Sequence, residues 1–498
     1  MNNRYNLIDE AWIPVADHGR ASLQAIFSNN EYRSIGGNPV QKIALMKLLL
    51  AIAQSAVTPR DDQEWEQLGP GGTARQCLAY LDQWRDYFFL YGDRPFLQFR
   101  AIESAEVQEY GAVLPEVSSG NTTVLSQIQV QRSLEDAEKA VLLVQLMGFA
   151  LGGKKTDNSV VLTKGYQGKQ NDKGRPSSGR IGPSLGFLGL LHSFLIGNSL
   201  QKSLWLNLLT HEQIKQLEMF PSGIGIPPWE QMPTGEDCPR AREFKKSLMG
   251  RLIPLCRFCL LTPEGLHYSE GLAHDGYKEG VADPSTAINY GGRDPKALWV
   301  DPGKRSWREL TSLLSFIKQD ASRGFQCWQI RNGLDRARDK TSIFALWSGG
   351  LRVSSNAGEQ YVSGNDDFVE SQVWLPSEIL GELWFDQLKA EMDALEQLAK
   401  VLYGVIMAFY KEQQMDGSKH AAQASHLFWQ YCERNCQELV DSCDQDEKSI
   451  EMRQQLRKKF SGYQLRTYDL YCPKETARQL DAWAKCKPNN YKYLNQEK

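Results

Sequence analysis

The last third of the chain carries the strongest fold signal, a long series of apolar residues at helical spacing. Between residues 376 and 412 they keep helical spacing, three or four positions apart from Leu388 onwards, so one face of a helix is apolar. These positions are Leu383, Leu388, Met392, Leu395, Leu398, Leu402, Val405 and Phe409. Three further helical patterns, joined by short polar links, follow at about 418–443, 446–471 and 474–485. The patterns predict an antiparallel four-helix bundle over residues 366–498.

Residues 1–365 have a different composition, with more glycine, proline and β-branched residues. Helical periodicity is visible at 39–57, at 77–89 and at 134–151. Elsewhere, short apolar runs between turn signals are typical of strands. The predicted fold class is therefore α+β, with a large irregular mixed N-terminal domain followed by the helical bundle.

The overall composition limits the possible functions. The net charge is −3, so any binding of nucleic acid must come from local basic patches. Ten cysteines without dense paired spacing indicate a reducing compartment. No apolar segment reaches the roughly 18 residues that a transmembrane helix requires. We expect a cytoplasmic protein with no membrane partner.

One such basic patch lies between Gly152 and Gly182, where seven Lys/Arg accompany two Asp. The cations are Lys154, Lys155, Lys164, Lys169, Lys173, Arg175 and Arg180. Glycine amides can approach a ligand closely and the cations can neutralise charge, which suits a phosphate-bearing partner. A solvated surface linker has the same composition. At this point both interpretations remain open.

A second basic patch lies in the predicted bundle, where residues 453–466 contain five cations, no acids and two aromatic residues. The cations are Arg453, Arg457, Lys458, Lys459 and Arg466. A solvated helix face is the ordinary interpretation of such a run. Together with the first patch, however, it could bind one polyanion at separate points.

Two short motifs resemble catalytic ones but lack the required context. Gly148–Lys155 differs by one residue from a P-loop, yet a helix precedes it where a P-loop needs a strand. Gly182–Gly186 matches a hydrolase nucleophile elbow around Ser184, without the strand that should precede it. The candidate bases are His192, His267 and His274, with no orienting acid evident beside any of them. A serine hydrolase or an NTP-dependent enzyme using Gly148–Gly189 is thus the alternative function.

The sequence predicts no metal and no cofactor. Cys256 and Cys259 form a lone CxxC without a second ligand pair, so plain burial is favoured. His420 and His426 are six residues apart on a helix, a spacing that does not place them on one face.

Several short segments, in order along nearly the whole chain, resemble one known family. The opening Asn6–Val15 is similar to the start of the CasA family, the large subunit of the type I-E CRISPR surveillance complex called Cascade. The other matching segments are Arg94–Gln98, Ser119–Val124, Gly152–Gly153, Ser203–Thr210, Pro227–Trp229, Gly349–Arg352 and the helix carrying His420 and His426.

The resemblance implies a non-enzymatic DNA reader. In the family, this subunit recognises the protospacer-adjacent motif from the minor groove, helps to open the strands and recruits a separate helicase-nuclease. Gly152 and Gly153 match the family's groove-reading loop. Asn121–Arg132 corresponds to the loop that anchors the subunit near the guide RNA. The anchoring residues implied are Val124, Leu125, Ser126 and Gln127.

Two departures from the family pattern concern reading and strand separation. Where well-known members carry a lysine that reads a base edge, this chain has His267 and Tyr268. The family's glutamine wedge is replaced by Val353–Gln360, in which Ser355, Asn356 and Gln360 are the candidate wedge residues. The cations expected to contact the DNA backbone are Lys154, Lys155, Lys164, Lys169, Lys173, Arg175, Arg180, Arg352, Arg457, Lys458 and Lys459.

We therefore expect target-DNA recognition within a ribonucleoprotein complex. The expected partners are the crRNA-containing Cascade subunits, double-stranded target DNA and the helicase-nuclease effector. After the enzyme alternative, a purely structural subunit that binds no DNA is the third possibility. The sequence does not decide whether the insertion at 153–182 is ordered without DNA.

Overall fold

The chain divides into two compact units. The computed structural model describes residues 5–115, 133–149, 151, 156–177, 189–318, 324–356, 359–361 and 367–495. The first unit comprises Met1–Ser306 and Ser322–Gln372, and the second comprises Trp307–Ala321 and Val373–Lys498. The domain boundary expected at 365/366 therefore misses the segment Trp307–Ala321, which belongs to the second unit.

The described strands are short, and most of them lie in the first unit. They are β1 (Ile13–Val15), β2 (Gly19–Ala21), β3 (Val107–Glu109), β4 (His192–Ile196), β5 (Arg257–Leu261), β6 (Gly265–Glu270), β7 (Ile288–Asn289), β8 (Lys296–Ala297), β9 (Ile343–Leu351), β10 (Ser354–Asn356), β11 (Glu359–Tyr361) and β12 (Phe368–Pro376). The last strand, β12, continues from the first unit into the second.

The described helices divide between the units, with α10 and α12–α17 in the second. In chain order they are α1 (Leu23–Ser28), α2 (Pro39–Ala56), α3 (Asp62–Gln83), α4 (Tyr110–Val113), α5 (Asp136–Gly148), α6 (Leu200–Asn207), α7 (His211–Gln216), α8 (Pro239–Phe244), α9 (Met249–Leu252), α10 (Leu310–Leu313), α11 (Trp328–Lys340), α12 (Glu382–Glu412), α13 (Ser418–Glu433), α14 (Cys436–Asp441), α15 (Glu447–Tyr471), α16 (Ala477–Cys486) and α17 (Tyr491–Leu494).

Helix α2 lies in the core of the first unit. It begins with a capping box, in which the Asn38 side chain accepts from the Gln41 amide at 3.0 Å and the Gln41 side chain accepts in return. Most of its residues are buried, and it packs against α3, α5, α6 and β9. Even Lys47 is buried, and its ammonium pairs with Asp283. A helix buried on all sides explains why its sequence is apolar almost throughout.

Two three-stranded sheets position the loops of interest. One has the order β12-β9-β4, and the other has the order β3-β6-β5. In the first, a Cβ added to Gly349 would lie 2.9 Å from the Val369 carbonyl oxygen, and one on Gly350 would lie 3.0 Å from that of Leu190. These two glycines therefore permit close approach of neighbouring backbone at the end of β9.

The second unit is a helical bundle built from α12, α13, α15 and α16, which pack on one another. Residues later in α12 contact residues later in α15. The Gln464 side chain donates to the Leu398 carbonyl oxygen at 2.8 Å, and the Tyr410 hydroxyl donates to that of Tyr471 at 3.0 Å. The first and third long helices therefore run parallel, as the predicted up-down arrangement requires.

The segment 307–318 joins this bundle through aromatic and charged contacts. The Arg308 guanidinium lies 3.6 Å from the Trp429 ring centroid and 3.0 Å from a Glu396 oxygen. Trp307 packs edge-on against the same Trp429, with ring centroids 5.9 Å apart. Cation–π and aromatic contacts thus attach a segment from the middle of the sequence to α12 and α13.

Two predicted helices have different bounds in the structure. The helix expected at 77–89 is α3, which starts at Asp62 and continues through a kink at Gly69 and Pro70. Gly69 has φ 59°, and Pro70 can begin the next helical turn because it needs no amide partner there. The helix expected at 134–151 is α5, which ends at Gly148. None of the described helices is both long enough and apolar enough to cross a membrane.

Candidate nucleic-acid interface

The segment 156–177 is attached to β6 by a hydrogen bond close to its start, and Leu151, before it, is held by β5. The Asp157 amide donates to the Tyr268 carbonyl oxygen at 2.8 Å. Arg257, which is buried, donates to the Leu151 carbonyl oxygen at 2.7 Å and to the Tyr268 hydroxyl at 3.1 Å. Residues on both sides of 152–155 are therefore held on the same two strands.

Residues 170–176 form a tight turn, which we call the basic turn. The Asn171 side-chain oxygen accepts from the amides of Lys173 at 3.0 Å and Arg175 at 3.1 Å. The backbone closes with the Asn171 amide donating to the Arg175 carbonyl oxygen, and Gly174 supplies φ 71°. Lys173 and Arg175 are exposed on this turn, and Lys164 is exposed on the same segment. The turn thus presents cations on a defined backbone.

Lys169, at the base of the basic turn, is not a surface cation. Its side chain is fully buried, and its ammonium lies 2.7 Å from Glu236, which is equally buried. The ammonium also lies 5.2 Å from the Phe258 ring centroid. The prediction that Lys169 contacts a DNA phosphate is therefore wrong for this structure, because its charge is already paired in the interior.

His267 and Tyr268 are adjacent on β6 but differ in what they can reach. Tyr268 is buried, its hydroxyl accepts from Arg257, and burial raises its pKa to about 12. It therefore cannot read a base edge as predicted. His267 is half-buried, with Nδ1 2.6 Å from the Ala105 carbonyl oxygen. In the neutral ring Nδ1 is thus the protonated nitrogen, and Nε2 carries the lone pair.

The predicted wedge residues lie on a β-hairpin. Strands β10 and β11 pair antiparallel, with Asn356 opposite Glu359 and Ser355 opposite Gln360. Asn356 is therefore beside the hairpin tip, while Gln360 is one pair further from it. Arg352 precedes the hairpin, is exposed, and donates its amide to the Asp367 carbonyl oxygen at 2.9 Å.

The basic patch of α15 is partly internal. Arg457 is buried and forms an ion pair with Glu391, with Nε 3.1 Å from Oε2. The prediction that Arg457 contacts DNA is therefore wrong, because this guanidinium neutralises a buried carboxylate. Lys458 and Lys459 are exposed, and Lys459 lies 3.2 Å from Glu438. These two lysines remain candidates for a phosphate contact.

Several predicted site residues lie outside the described residues. They are the groove-reading Gly152 and Gly153, the cations Lys154, Lys155 and Arg180, the guide-RNA loop Val124–Gln127, and Ser184 of the elbow motif.

The histidines proposed for a hydrolase have other partners. His192 is buried, with Nδ1 2.8 Å from the Ser285 hydroxyl. His274 is buried, with Nε2 2.6 Å from the Pro254 carbonyl oxygen, and burial lowers its pKa to about 3. Among the described residues, no group of three or more His, Cys, Asp or Glu side chains could hold a metal ion. Cys256 and Cys259 are buried, as expected.

Sequence reasoning missed three residues that build this site. Glu236 lies in the Pro- and Gly-rich stretch 221–239, and nothing in that composition indicates a partner for Lys169. Arg257 lies inside the CxxC, a motif whose cysteines give no indication of the arginine's role. Asn171 did carry a signal, because an Asn three residues before a Gly is typical of a side-chain-capped turn.

The fold identifies the class of protein. The chain is similar to Thermobifida fusca Cse1, with a TM-score of 0.75 and 19% identity over 98% of both chains. It is also similar to a chain of a CRISPR RNA-guided surveillance complex, with a TM-score of 0.68 and 15% identity over 97% of this chain and 98% of that one. The fold is thus that of a CRISPR-associated protein of the Cse1 kind.

The family follows from the sequence. The family model for CRISPR-associated protein Cse1 matches residues 6–467. A relative from Thermus thermophilus, the CRISPR-associated protein CasA/Cse1, is 32% identical over 163 residues. That alignment spans 30% of this chain and 32% of the relative. The chain belongs to the Cse1 family, which confirms the resemblance to CasA.

Proposed function

We propose that this protein is the non-catalytic large subunit of a type I-E crRNA-guided Cascade complex. In this role it recognises the protospacer-adjacent motif in double-stranded DNA and aids strand opening. The observation that carries the proposal is the family match over residues 6–467. The similarity to a chain of a CRISPR RNA-guided surveillance complex supports the assignment of crRNA-containing partners.

The basic turn supports a role in holding the DNA backbone. Lys173 and Arg175 are both exposed on one short turn whose backbone Asn171 caps. Lysine and arginine contacts to phosphates position a duplex without reading its sequence. We assign Lys164 to the same backbone surface, together with Lys154, Lys155 and Arg180 from the flanking residues.

Motif reading is assigned to the neighbouring glycines and to His267. Leu151 and Asp157, on either side of Gly152 and Gly153, are both tied to the β5–β6 strands. Glycine amides can enter a narrow minor groove where bulkier residues cannot. His267 lies on β6 beside these ties and has one ring nitrogen available for a base edge.

Strand separation is assigned to the β10–β11 hairpin, with Asn356 as the favoured wedge because its register places it beside the tip. Arg352, exposed where the hairpin begins, is assigned a phosphate of the opened strand.

The remaining contacts complete the role within Cascade. Lys458 and Lys459 are assigned to the DNA backbone, because both are exposed on α15. The loop Val124–Gln127 is assigned to the guide RNA, and the subunit recruits the helicase-nuclease that degrades the target. The proposed setting is the cytoplasm.

Reconstitution of the crRNA complex with and without this chain tests the proposal. The complex is mixed with duplexes that share one protospacer but differ in the flanking motif, and opening is followed by 2-aminopurine fluorescence. Opening should require both the chain and one class of motif. Equal opening by the complex lacking the chain would refute the proposal. Assembly with the chain but opening that ignores the motif would assign it a purely structural role.

A further inference from the structure

We propose that the buried Lys169–Glu236 ion pair is a positioning device that holds the basic turn ready for DNA before DNA arrives. This inference rests on the proposed function, because it explains how that DNA-contacting turn is kept in place. The basic composition of the segment suggests that Lys169 contacts phosphate, whereas this inference gives it a role in the protein interior. The lysine acts through the turn that it anchors, and Glu236 shares that role.

The hydrogen bonds of Lys169 leave no donor for a phosphate. A lysine ammonium has three donors. In this structure they face Glu236 at 2.7 Å, the Val160 carbonyl oxygen at 2.8 Å and the Ser269 hydroxyl at 2.9 Å. All three partners belong to the protein, and the side chain is fully buried.

Glu236 connects the same lysine to a second part of the segment. Its carboxylate accepts from the amides of Leu162 at 3.1 Å and Thr163 at 2.7 Å. The Thr163 hydroxyl oxygen in turn accepts from the Asp237 amide at 3.1 Å. One buried carboxylate therefore holds residues 162–163 and, through Lys169, the base of the basic turn.

The base of the turn is closed by backbone bonds around Lys169. The Ser177 amide donates to the Lys169 carbonyl oxygen at 2.9 Å. The Asn158 side chain donates to the Ser177 carbonyl oxygen at 2.9 Å and accepts from the Glu270 amide at 3.2 Å. Both ends of the turn are thus joined to β6, one by the lysine side chain and one by Asn158.

The bond from Lys169 to β6 places the anchor of the basic turn close to His267. Lys169 bonds Ser269, which lies two residues beyond His267 on the same strand. Residues two apart on a strand share a face of the sheet. The anchor of the basic turn and the candidate reading residue are therefore on one face of β6, so a displaced turn would move its cations relative to His267.

Breaking the ion pair should disorder the basic turn, because the remaining buried charge loses its partner. Removal of one member of a buried pair leaves an uncompensated charge, which is strongly destabilising locally. A turn that must order when DNA binds lowers affinity. The bound complex still makes the same phosphate contacts, so the salt dependence of binding should not change.

Two single variants distinguish a positioning role of Lys169 from a phosphate contact, because the two roles predict different changes in affinity for DNA. Glu236→Gln and Lys169→Met should each weaken binding of the reconstituted complex to cognate duplex by at least about tenfold, with an unchanged slope of log K against log salt. If Lys169 instead contacted phosphate, Glu236→Gln would free its ammonium and remove a negative charge. Binding would then tighten, and Lys169→Met would reduce the slope by about 0.9. Either result would overturn the inference.

Hydrogen exchange gives a readout independent of DNA. In the full chain, Lys169→Met and Glu236→Gln should raise amide exchange across 162–177 and leave α2 and α15 protected. Lys173→Ala is the matched control, because it removes an exposed cation of the same turn. It should leave exchange unchanged and reduce the salt slope by about 0.9.

A double variant covers the case in which a single one misfolds. Lys169→Met with Glu236→Gln removes both charges of the pair, and the glutamine oxygen can still accept from Leu162 or Thr163. It should fold and still show faster exchange at 162–177. Unchanged exchange in folded variants would refute the ion-pair inference, whereas a wild-type complex that binds no duplex would refute the proposed function alone.

Discussion

At the scale of single residues, Arg457 and Glu391 form a buried ion pair within the helical unit. Their side chains are 6% and 2% exposed. Since Glu391 alone would be a buried carboxylate without this counter-charge, the bundle needs the arginine as long as the glutamate is present.

Substitution of Arg457 tests this requirement. Arg457→Met should lower the free energy of unfolding of the second unit by about 3–5 kcal/mol, measured by urea denaturation. Arg457→Met combined with Glu391→Leu should recover most of that loss, because neither position of the pair then carries a charge. Lys458→Ala, on the exposed neighbour, should change stability by less than about 0.5 kcal/mol. A single variant as stable as Lys458→Ala would contradict this account.

His274 makes the first unit sensitive to acid. Burial, and then the nearby Arg251, lower its pKa from 6.5 to about 3. Because the folded-state pKa lies below the unfolded one, stability is full above about pH 6.5 and falls as the pH drops towards 3. Each pH unit in that window costs about 1.4 kcal/mol, so the loss from this residue is about 2 kcal/mol at pH 5.

Comparison with a neutral side chain isolates this effect. Between pH 7.5 and 5, His274→Gln should lose about 2 kcal/mol less unfolding free energy than the wild type, measured by urea denaturation of the isolated chain. Parallel pH profiles for the two proteins would show that His274 is not the group responsible.

At the scale of elements, glycines have different roles in the two units. Gly349 on β9 has no room for a side chain, since an added Cβ would lie 2.8 Å from the Trp347 ring and 2.9 Å from the Val369 carbonyl oxygen. Gly462, inside α15, has nothing within 4 Å of its Cβ position. One glycine is required by packing, and the other lowers helix stability.

The same substitution should therefore have opposite effects at the two positions. Gly349→Ala should destabilise the first unit by about 1–3 kcal/mol through overpacking. Gly462→Ala should stabilise the second unit by about 1 kcal/mol, the difference in helix propensity. Both are measured by thermal or urea unfolding of the isolated chain. A stabilising Gly349→Ala would show that β9 tolerates more separation from its neighbours than the structure indicates.

The hairpin register yields a prediction about strand opening. Asn356→Ala should slow opening of cognate duplex by the reconstituted complex more than Gln360→Ala does, because Asn356 is beside the tip. Ser355→Ala, one residue earlier on the same strand, is the matched control and should have little effect. Opening is followed by 2-aminopurine fluorescence. A larger effect of Gln360→Ala would move the wedge to the second strand.

Helical periodicity predicted the second unit well, because an apolar stripe records which face of a helix is buried. The pattern at 446–471 corresponds to α15 at Glu447–Tyr471. The pattern at 418–443 is divided in the structure between α13 and α14. The first pattern erred at its start. Leu383 is 72% exposed, whereas Trp384 and Phe385 are buried. In the first turn of α12, Trp384 and Phe385 therefore face the core, not Leu383 as the spacing indicated.

Irregular parts were harder to predict because their order depends on distant partners. The basic segment resembled a linker, and its order comes from Glu236, Ser269 and the β6 backbone. A lysine in such a segment has the same sequence signature whether it points outwards, as Lys173 does, or inwards, as Lys169 does. Composition therefore pointed to this segment as a candidate site, but it could not distinguish the exposed cations from the buried one.

At the scale of the whole molecule, the proposed DNA binding requires local positive charge in a protein whose net charge is −3. The exposed cations Lys164, Lys173 and Arg175 lie on one short segment of the first unit. Two cations from the predicted phosphate-binding set, Lys169 and Arg457, are neutralised internally. The proposed DNA binding should consequently depend on the remaining cations of the set, and each phosphate contact should be visible in the salt dependence.

The most direct test of this account is the salt dependence of duplex binding by the reconstituted complex. Binding of cognate duplex is measured from about 50 to 200 mM salt for the wild type and for the triple variant Lys164→Ala, Lys173→Ala and Arg175→Ala. The account predicts that the slope of log K against log salt falls by about 2–3 in the triple variant, roughly 0.9 for each phosphate that the variant no longer neutralises. An unchanged slope would contradict the assignment of this segment to target DNA.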